Sequence, residues 1–99
     1  MLTRVNFFEG PTEGASQATR ELVWPGIRDL EGYSGYIVLL SADGDRAVGI
    51  TLWENQEAEE ASRHVAETIR PLLEAATGGK VVKVERYEVG LFDVTSEET

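Results

Sequence analysis

A chain of 99 residues with 41% hydrophobic and 27% charged side chains has room for one folded domain and is too apolar for disorder throughout. Its formal net charge of −9 at pH 7 offers no basic patch for nucleic acid or for an anionic membrane surface. Zero cysteines exclude disulfides, thiolate metal sites and cysteine nucleophiles, and fit a reducing compartment. No apolar run approaches the ~18 residues of a membrane span, and Met1 to Val5 lack a signal peptide's apolar core, so a cytoplasmic protein is expected.

Residues 2 to 8 alternate, with Leu2, Arg4, Asn6 and Phe8 on one side of an extended chain and Thr3, Val5 and Phe7 on the other. This predicts a first strand, broken by Glu9-Gly10-Pro11. Thr12 then reads as the cap of a helix carrying Ala15, Ala18 and Leu22 at helical spacing. Pro25 shifts the apolar phase toward Ile27 and Leu30, which predicts a kink or an irregular turn near Trp24, and Gly32 ends the element.

Tyr36 to Leu40 is a short, bounded run of consecutive apolar residues, the pattern of a strand covered on both faces. Asp43-Gly44 predicts a tight primed turn, and Ala47 to Trp53 the returning strand, in which Gly49 marks a bulge or a close approach. Asn55 caps a second helix whose residues Ala58, Ala61, Val65, Ile69, Leu72, Leu73 and Ala76 form an apolar stripe. Pro71 is expected to bend this helix, and Gly78-Gly79 to end it. The last strand, Val81 to Leu91, changes apolar phase around Glu85-Arg86 as a bulge would. Residues 1–92 thus read as one domain and 93–99 as an acidic mobile tail.

The order β-α-β-β-α-β with right-handed crossovers implies an α+β ferredoxin-like fold, a four-stranded antiparallel sheet with both helices on one face. Tyr36, Val38 and Leu40 alternate with Ile37 and Leu39, so the face without helices would expose an apolar patch, and that predicts a homodimer whose sheets pack face to face.

Trp24-Pro25-Gly26-Ile27 leading to Gly32-Tyr33-Ser34-Gly35, then Thr51-Leu52-Trp53-Glu54 before a helix opening Asn55-Gln56-Glu57-Ala58, resemble the antibiotic biosynthesis monooxygenase-like members of the dimeric α+β barrel superfamily over nearly the whole chain. The resemblance implies a pocket between sheet and helices and an oxygenase that needs no cofactor. It also implies that the first-strand Asn6 lies near a substrate. Similar chains carry several activities, so the likeness speaks to fold before function.

Arg4, Asn6 and Phe8 share one side of the first strand and would face that pocket if this side meets the helices. The Asn6 amide either orients a ligand oxygen or bonds to nearby backbone, and Arg4 can offset negative charge on a substrate. Trp53 and Tyr36 read as packing residues able to shape a cavity for an aromatic ligand, while Trp24 suits a pocket mouth or a dimer rim. His64, the only imidazole, is a general base, a metal ligand or a solvated residue of a charged helix flank. Glu59 with Arg63, Glu67 with Arg70, and Arg70 with Glu74 read as helix-surface pairs.

No metal-ligand spacing or phosphate-binding glycine loop occurs, so neither a metal nor a nucleotide is expected. Two functions stay open. One is a cofactor-independent oxygenase acting on an aromatic or polyketide-like molecule, with Asn6 orienting, Arg4 balancing charge and no assigned base. The other is a dimer that binds a small hydrophobic molecule without catalysis. Haem degradation fits poorly, because the second helix has no tryptophan and His64 lies earlier than the resemblance requires of a ligating histidine.

Overall fold

The computed structural model describes residues 1–95. Its strands are β1 (Leu2–Glu9), β2 (Tyr33–Leu40), β3 (Arg46–Trp53) and β4 (Lys80–Glu88), all antiparallel to their neighbours in the order β2-β3-β1-β4. The helical segments are α1 (Ala15–Ala18), a π-helical stretch Thr19–Val23, α2 (Trp24–Ile27) and the long α3 (Gln56–Thr77). This is the α+β ferredoxin-like arrangement, with the helices over one face of the sheet. Among the described residues no helix is long and apolar enough to cross a membrane.

Direct cross-strand partners point to the same face, so the register arranges the helix side of the sheet in rows. Tyr36, Thr51, Arg4 and Arg86 form the first; Val38, Gly49, Asn6 and Val84 the second; Leu40, Ala47, Phe8 and Val81 the third. The chain thereby grades one surface from polar to apolar over three rows. On the opposite face Val5, Phe7, Ile37, Leu39, Val48 and Ile50 adjoin one another, and no helix among the described residues covers them. Leu39 is 52% exposed there.

The irregularity near Trp24 takes the form of the π-helical stretch just before it. Ala15, Thr19, Val23 and Ile27 recur every four residues, which overshoots a 3.6-residue turn by about 40° at each step. The wider π turn absorbs part of that drift and keeps all four side chains on the sheet side. Pro25 is tolerated because it sits in the first turn of α2, where its missing donor is not needed.

Several boundaries differ from the sequence reading. Gly14, in a left-handed conformation, precedes α1 in place of Thr12, whose carbonyl only accepts from the Ala15 N–H. The β2–β3 connection is wider than a two-residue primed turn: the Ser41 N–H donates to the Arg46 carbonyl, and only Gly44 has a positive φ. Lys80–Glu88 is shorter than the Val81 to Leu91 strand expected, and its bulge lies at Val82, opposite the Phe7/Phe8 step, rather than at Glu85-Arg86. Without that slip Arg86 would not come level with Arg4.

Asn55 caps α3 as expected, its Oδ1 accepting from the Ala58 N–H at 2.9 Å, and α3 continues through Pro71 to Gly78. Its inward face is rotated from the apolar stripe. Ala61, Leu72 and Ala76 lie exposed, whereas Glu59 and Ser62 are buried with Ile69. The core joins Ile27, Trp53 and Ile69, flanked by Val23, Leu30, Tyr33, Tyr36, Ala58 and Val65. Of the tail expected over 93–99, residues 93–95 are exposed without regular structure and 96–99 lie outside the described residues.

Candidate functional site

A cleft of about 790 Å³, open mouth included, lies between the sheet and the helices. Its floor is the helix side of the sheet, with Arg4, Thr51 and Tyr36 from the first row, Asn6, Gly49 and Val38 from the second, and Phe8, Ala47 and Val81 from the third. Thr19, Val23 and Ile27 form one wall, and Ala66, Ile69, Arg70, Leu73 and Thr77 of α3 the other. The lining is apolar apart from a few polar groups, as small-molecule sites usually are. Gly49 makes part of the space. It contributes no side chain to the middle row, and the Tyr36 hydroxyl lies 3.4 Å from where a Cβ would stand.

At the polar end, Arg4 is only 4% exposed. Its Nη1 donates to Glu59 Oε2 at 3.1 Å and to Ser62 Oγ at 2.8 Å, while its Nε is buried without a partner. Glu59, with no exposed surface, also accepts two hydrogen bonds from Arg63, at 2.9 and 2.7 Å, and one from Arg86 Nε at 3.0 Å. The sequence reading placed Glu59 and Arg63 on the helix surface; the pair forms, yet its carboxylate is the hub of a buried network. Arg4 and Arg86 reach it because both occupy the first row, facing the start of α3.

Burial alone would push the Glu59 carboxyl up, but the hydrogen bond from Arg63 and the charges of Arg63, Arg86 and Arg4 outweigh it and hold it below the usual carboxylate range. Burial draws Arg4 down from its ordinary value, opposed by the charge and hydrogen bond of Glu59. Burial also pushes the Tyr36 hydroxyl up to about 12, against the pull of the Arg4 charge. Tyr36 therefore keeps its hydroxyl proton near neutrality.

Arg4, Asn6, Phe8 and Tyr36 meet in the cleft; the other candidates do not. The Asn6 Nδ2 donates to the Gly49 carbonyl at 3.3 Å. Trp53 is fully buried behind the first row, its Nε1 donating to Thr51 Oγ1 at 2.9 Å and its ring edge-on to Tyr33 at 5.9 Å, so it supports the floor without lining the cavity. Trp24 is exposed outside the cleft, with the Arg28 guanidinium over its ring and its Nε1 donating to the Tyr33 hydroxyl at 3.2 Å. His64 projects from the exposed side of α3, two residues past the buried Ser62 and so on the opposite flank of the helix.

Arg70 and Glu74 do not form the surface pair expected of them. Arg70 lines the cleft, and Glu74 Oε2 accepts from the Val81 N–H at 2.8 Å, tying α3 to β4. Glu59, Thr19, Thr51 and Arg70 were missed as site residues. For Glu59 the usable signal is Arg4 itself, since an arginine on the inward side of a strand requires an acceptor from the element packed over it.

No protein-family model and no curated protein matches the sequence. Solved structures do. A point mutant of SnoaB, a cofactor-independent oxygenase from Streptomyces nogalater, superposes with a TM-score of 0.72 at 14% identity over 92% of this chain and 94% of that one. The monooxygenase from the gene ActVA-Orf6 of Streptomyces coelicolor, in complex with nanaomycin D, gives 0.72 at 21% identity over 96% and 92%.

The fold is that of the antibiotic biosynthesis monooxygenase-like proteins.

The same monooxygenase-like fold extends to the heme-degrader MhuD from Mycobacterium tuberculosis, with a TM-score of 0.59 at 21% identity over 96% of this chain and 100% of that one. Among the described residues the walls of this cleft carry no imidazole, and His64 lies outside them.

Proposed function

We propose that this chain is a small cofactor-independent monooxygenase-like enzyme that oxidises an aromatic or polyketide-like molecule in the cleft, and that it works as a homodimer. The observation that carries the reading is the gradient along the cleft, from Arg4 and Tyr36 at one end to Phe8, Ala47 and Val81 at the other. A flat apolar ligand with one polar edge matches that gradient. The oxygenases that share the fold support the same choice of chemistry.

In such a reaction an acidic CH2 between aromatic rings, as in anthrone, loses a proton and becomes electron-rich. Dioxygen is the only oxidant: the CH2 becomes a C=O and the second oxygen atom leaves as water, with all electrons drawn from the substrate. The protein's contribution is to position the ligand and to exclude bulk water. Asn6 keeps its amide oxygen available to orient a ligand hydroxyl while its Nδ2 is held on Gly49. The uncovered apolar face of the sheet, in a chain whose buried core is small, supports the dimer.

Oxygen uptake with anthrone and quinol substrates tests the enzyme reading. A rate that scales with protein concentration and vanishes on heat denaturation is expected; uptake equal to the heat-killed control defeats it.

A second reading, a non-catalytic dimer that binds the same class of ligand, is favoured by one observation. Among the described residues the titratable groups on the cleft walls are arginines and the Tyr36 hydroxyl, which is held protonated, so none of them is a base facing the cavity. That reading predicts a ligand-induced rise in melting temperature without turnover.

A further inference from the structure

Most arginines of this chain are engaged by other side chains. Arg4, Arg63 and Arg86 share the Glu59 carboxylate, Arg46 pairs with Asp43, and Arg28 lies over the Trp24 ring. Arg70 is different. It lines the cleft half-buried and, among the described residues, makes no hydrogen bond or ion pair. Two carboxylates stand within a turn of it, Glu67 before and Glu74 after, in a chain of net charge −9. Glu67 is exposed, and Glu74 accepts instead from the Val81 N–H at 2.8 Å. A helix arginine with acids at both spacings ordinarily pairs with one of them, whereas this one borders the cavity.

Helical spacing shows where Arg70 stands. Arg63, Arg70 and Glu74 follow one another at seven and four residues and so share a flank of α3. That flank meets β4 at both ends: Arg63 and Arg86 share Glu59 at the first row, and Glu74 holds Val81 at the third. Arg70 lies between them, on the β4 side of the middle row, where Val84 flanks Asn6. Because β4 is an edge strand, this is the rim of the cleft and not its floor. A guanidinium carries donors only, and a planar carboxylate accepts two of them side by side. At a rim such an acid keeps part of its hydration and avoids the cost of full burial. Among the described residues no carboxylate of the chain lines the cleft, so the position is not already taken.

From this we infer that Arg70 is a specificity-determining residue that holds a carboxylate on the ligand, so that the cleft takes an aromatic acid. The apolar body lies over Phe8, Val38 and Ala47, and the carboxylate reaches the β4 rim. Nothing is asked of Arg4, whose guanidinium lies over the Trp53 ring and is held there by Glu59 and Ser62. The inference rests on the cleft being the ligand site, and it stands whether or not reaction with oxygen follows.

The test compares two anthraquinones of one shape, 4,5-dihydroxyanthraquinone-2-carboxylic acid and 1,8-dihydroxy-3-methylanthraquinone, by equilibrium binding followed through their absorbance at neutral pH. The native protein is expected to bind the acid about tenfold more tightly than the methyl compound. Arg70→Gln removes that preference and leaves affinity for the methyl compound within about twofold. Arg70→Lys keeps part of it, as a point charge without the planar fork. Arg46→Gln, an equal change of charge on the exposed hairpin, leaves the preference intact. Among the described residues Arg70 makes no hydrogen bond that its replacement would break, and circular dichroism confirms that the variants are folded. Equal binding of the two compounds by the native protein overturns the inference and leaves the cleft standing as a ligand site. A preference that survives Arg70→Gln also overturns it, and would mean that the arginine lends only its aliphatic stem to the wall. If neither compound binds, the inference falls together with the cleft as a ligand site. An acid preference that Arg70→Gln abolishes, without oxygen uptake from any anthrone, supports this subsite and defeats only the oxygenase reading.

Discussion

Arg4 on β1 donates through Nη1 to the Glu59 carboxylate on α3 at 3.1 Å, with both side chains almost wholly out of solvent. The bond joins residues 55 apart in sequence and fastens the long helix to the centre of the sheet. It also fixes the guanidinium that forms the polar end of the cleft. Stability and site geometry therefore share one contact.

Removing the Glu59 charge leaves three arginines without their common partner. Breaking a buried ion pair from one side typically costs about 3–5 kcal/mol, and Glu59→Gln is expected to lose stability in that range at pH 7 in urea unfolding. The loss depends on pH with a definite sign. Because the folded-state pKa of Glu59 is depressed, its contribution is fully present above the unfolded value of about 4.3 and disappears as pH falls through the lower folded value. The gap between native protein and Glu59→Gln should narrow at acid pH. A gap that is constant from pH 7 to pH 3 contradicts this account.

The two tryptophans should separate in the same assay. Trp53 has no exposed surface and packs against Ile27, Ile69 and Tyr33, so Trp53→Ala is expected to cost about 3–5 kcal/mol. Trp24 lies half-open at the surface, with one hydrogen bond and one cation–π contact, and Trp24→Ala should cost about 1 kcal/mol or less. Equal losses would mean that the assignment of Trp53 to the core and Trp24 to the rim is wrong.

The uncovered side of the sheet makes a prediction about assembly. Ile37→Lys, beside Ile50 on that face, places a charge in the middle of the proposed subunit contact. Sedimentation equilibrium is expected to give twice the chain mass for the native protein at micromolar concentration and a mixture shifted toward one chain for the variant. A native protein that sediments as a single chain removes the dimer.

Much of this fold was legible in the sequence because its signals are local. Alternation along β1, the run Tyr36 to Leu40, the Asp43-Gly44 turn and the Asn55 cap each act within a few residues, and together they give the element order and the sheet's two faces. Arg4, Asn6 and Phe8 could be put together on one side of β1 because a strand's period of two assigns sides, but which side meets the helices, and that Tyr36 joins them, depends on how the other elements pack.

Glu59 could not be placed that way. A glutamate four residues before an arginine on a helix is normally a solvated pair, and only the arrival of Arg4 and Arg86 from two other elements makes its burial affordable. The rotation of α3 follows from that, since turning Glu59 and Ser62 inward carries Ala61, Leu72 and Ala76 out. His64 was attractive as the only imidazole, but chemical type says nothing about direction, and it points to solvent. His64→Ala should leave ligand affinity and any oxygen uptake unchanged within about twofold.

The cleft as the ligand site is tested most directly at Gly49, where the absence of a side chain opens the middle row beneath Tyr36. Equilibrium binding of 1,8-dihydroxyanthraquinone, followed by its absorbance, should be at least about tenfold weaker in Gly49→Val than in the native protein. Valine suits a strand better than glycine does, but its methyls also press on the Tyr36 ring, whose hydroxyl lies 3.4 Å from a Cβ at this position, so the melting transition is followed to establish that the variant is folded. Equal affinity in the two proteins, with Gly49→Val folded, would place the ligand elsewhere and contradict the account.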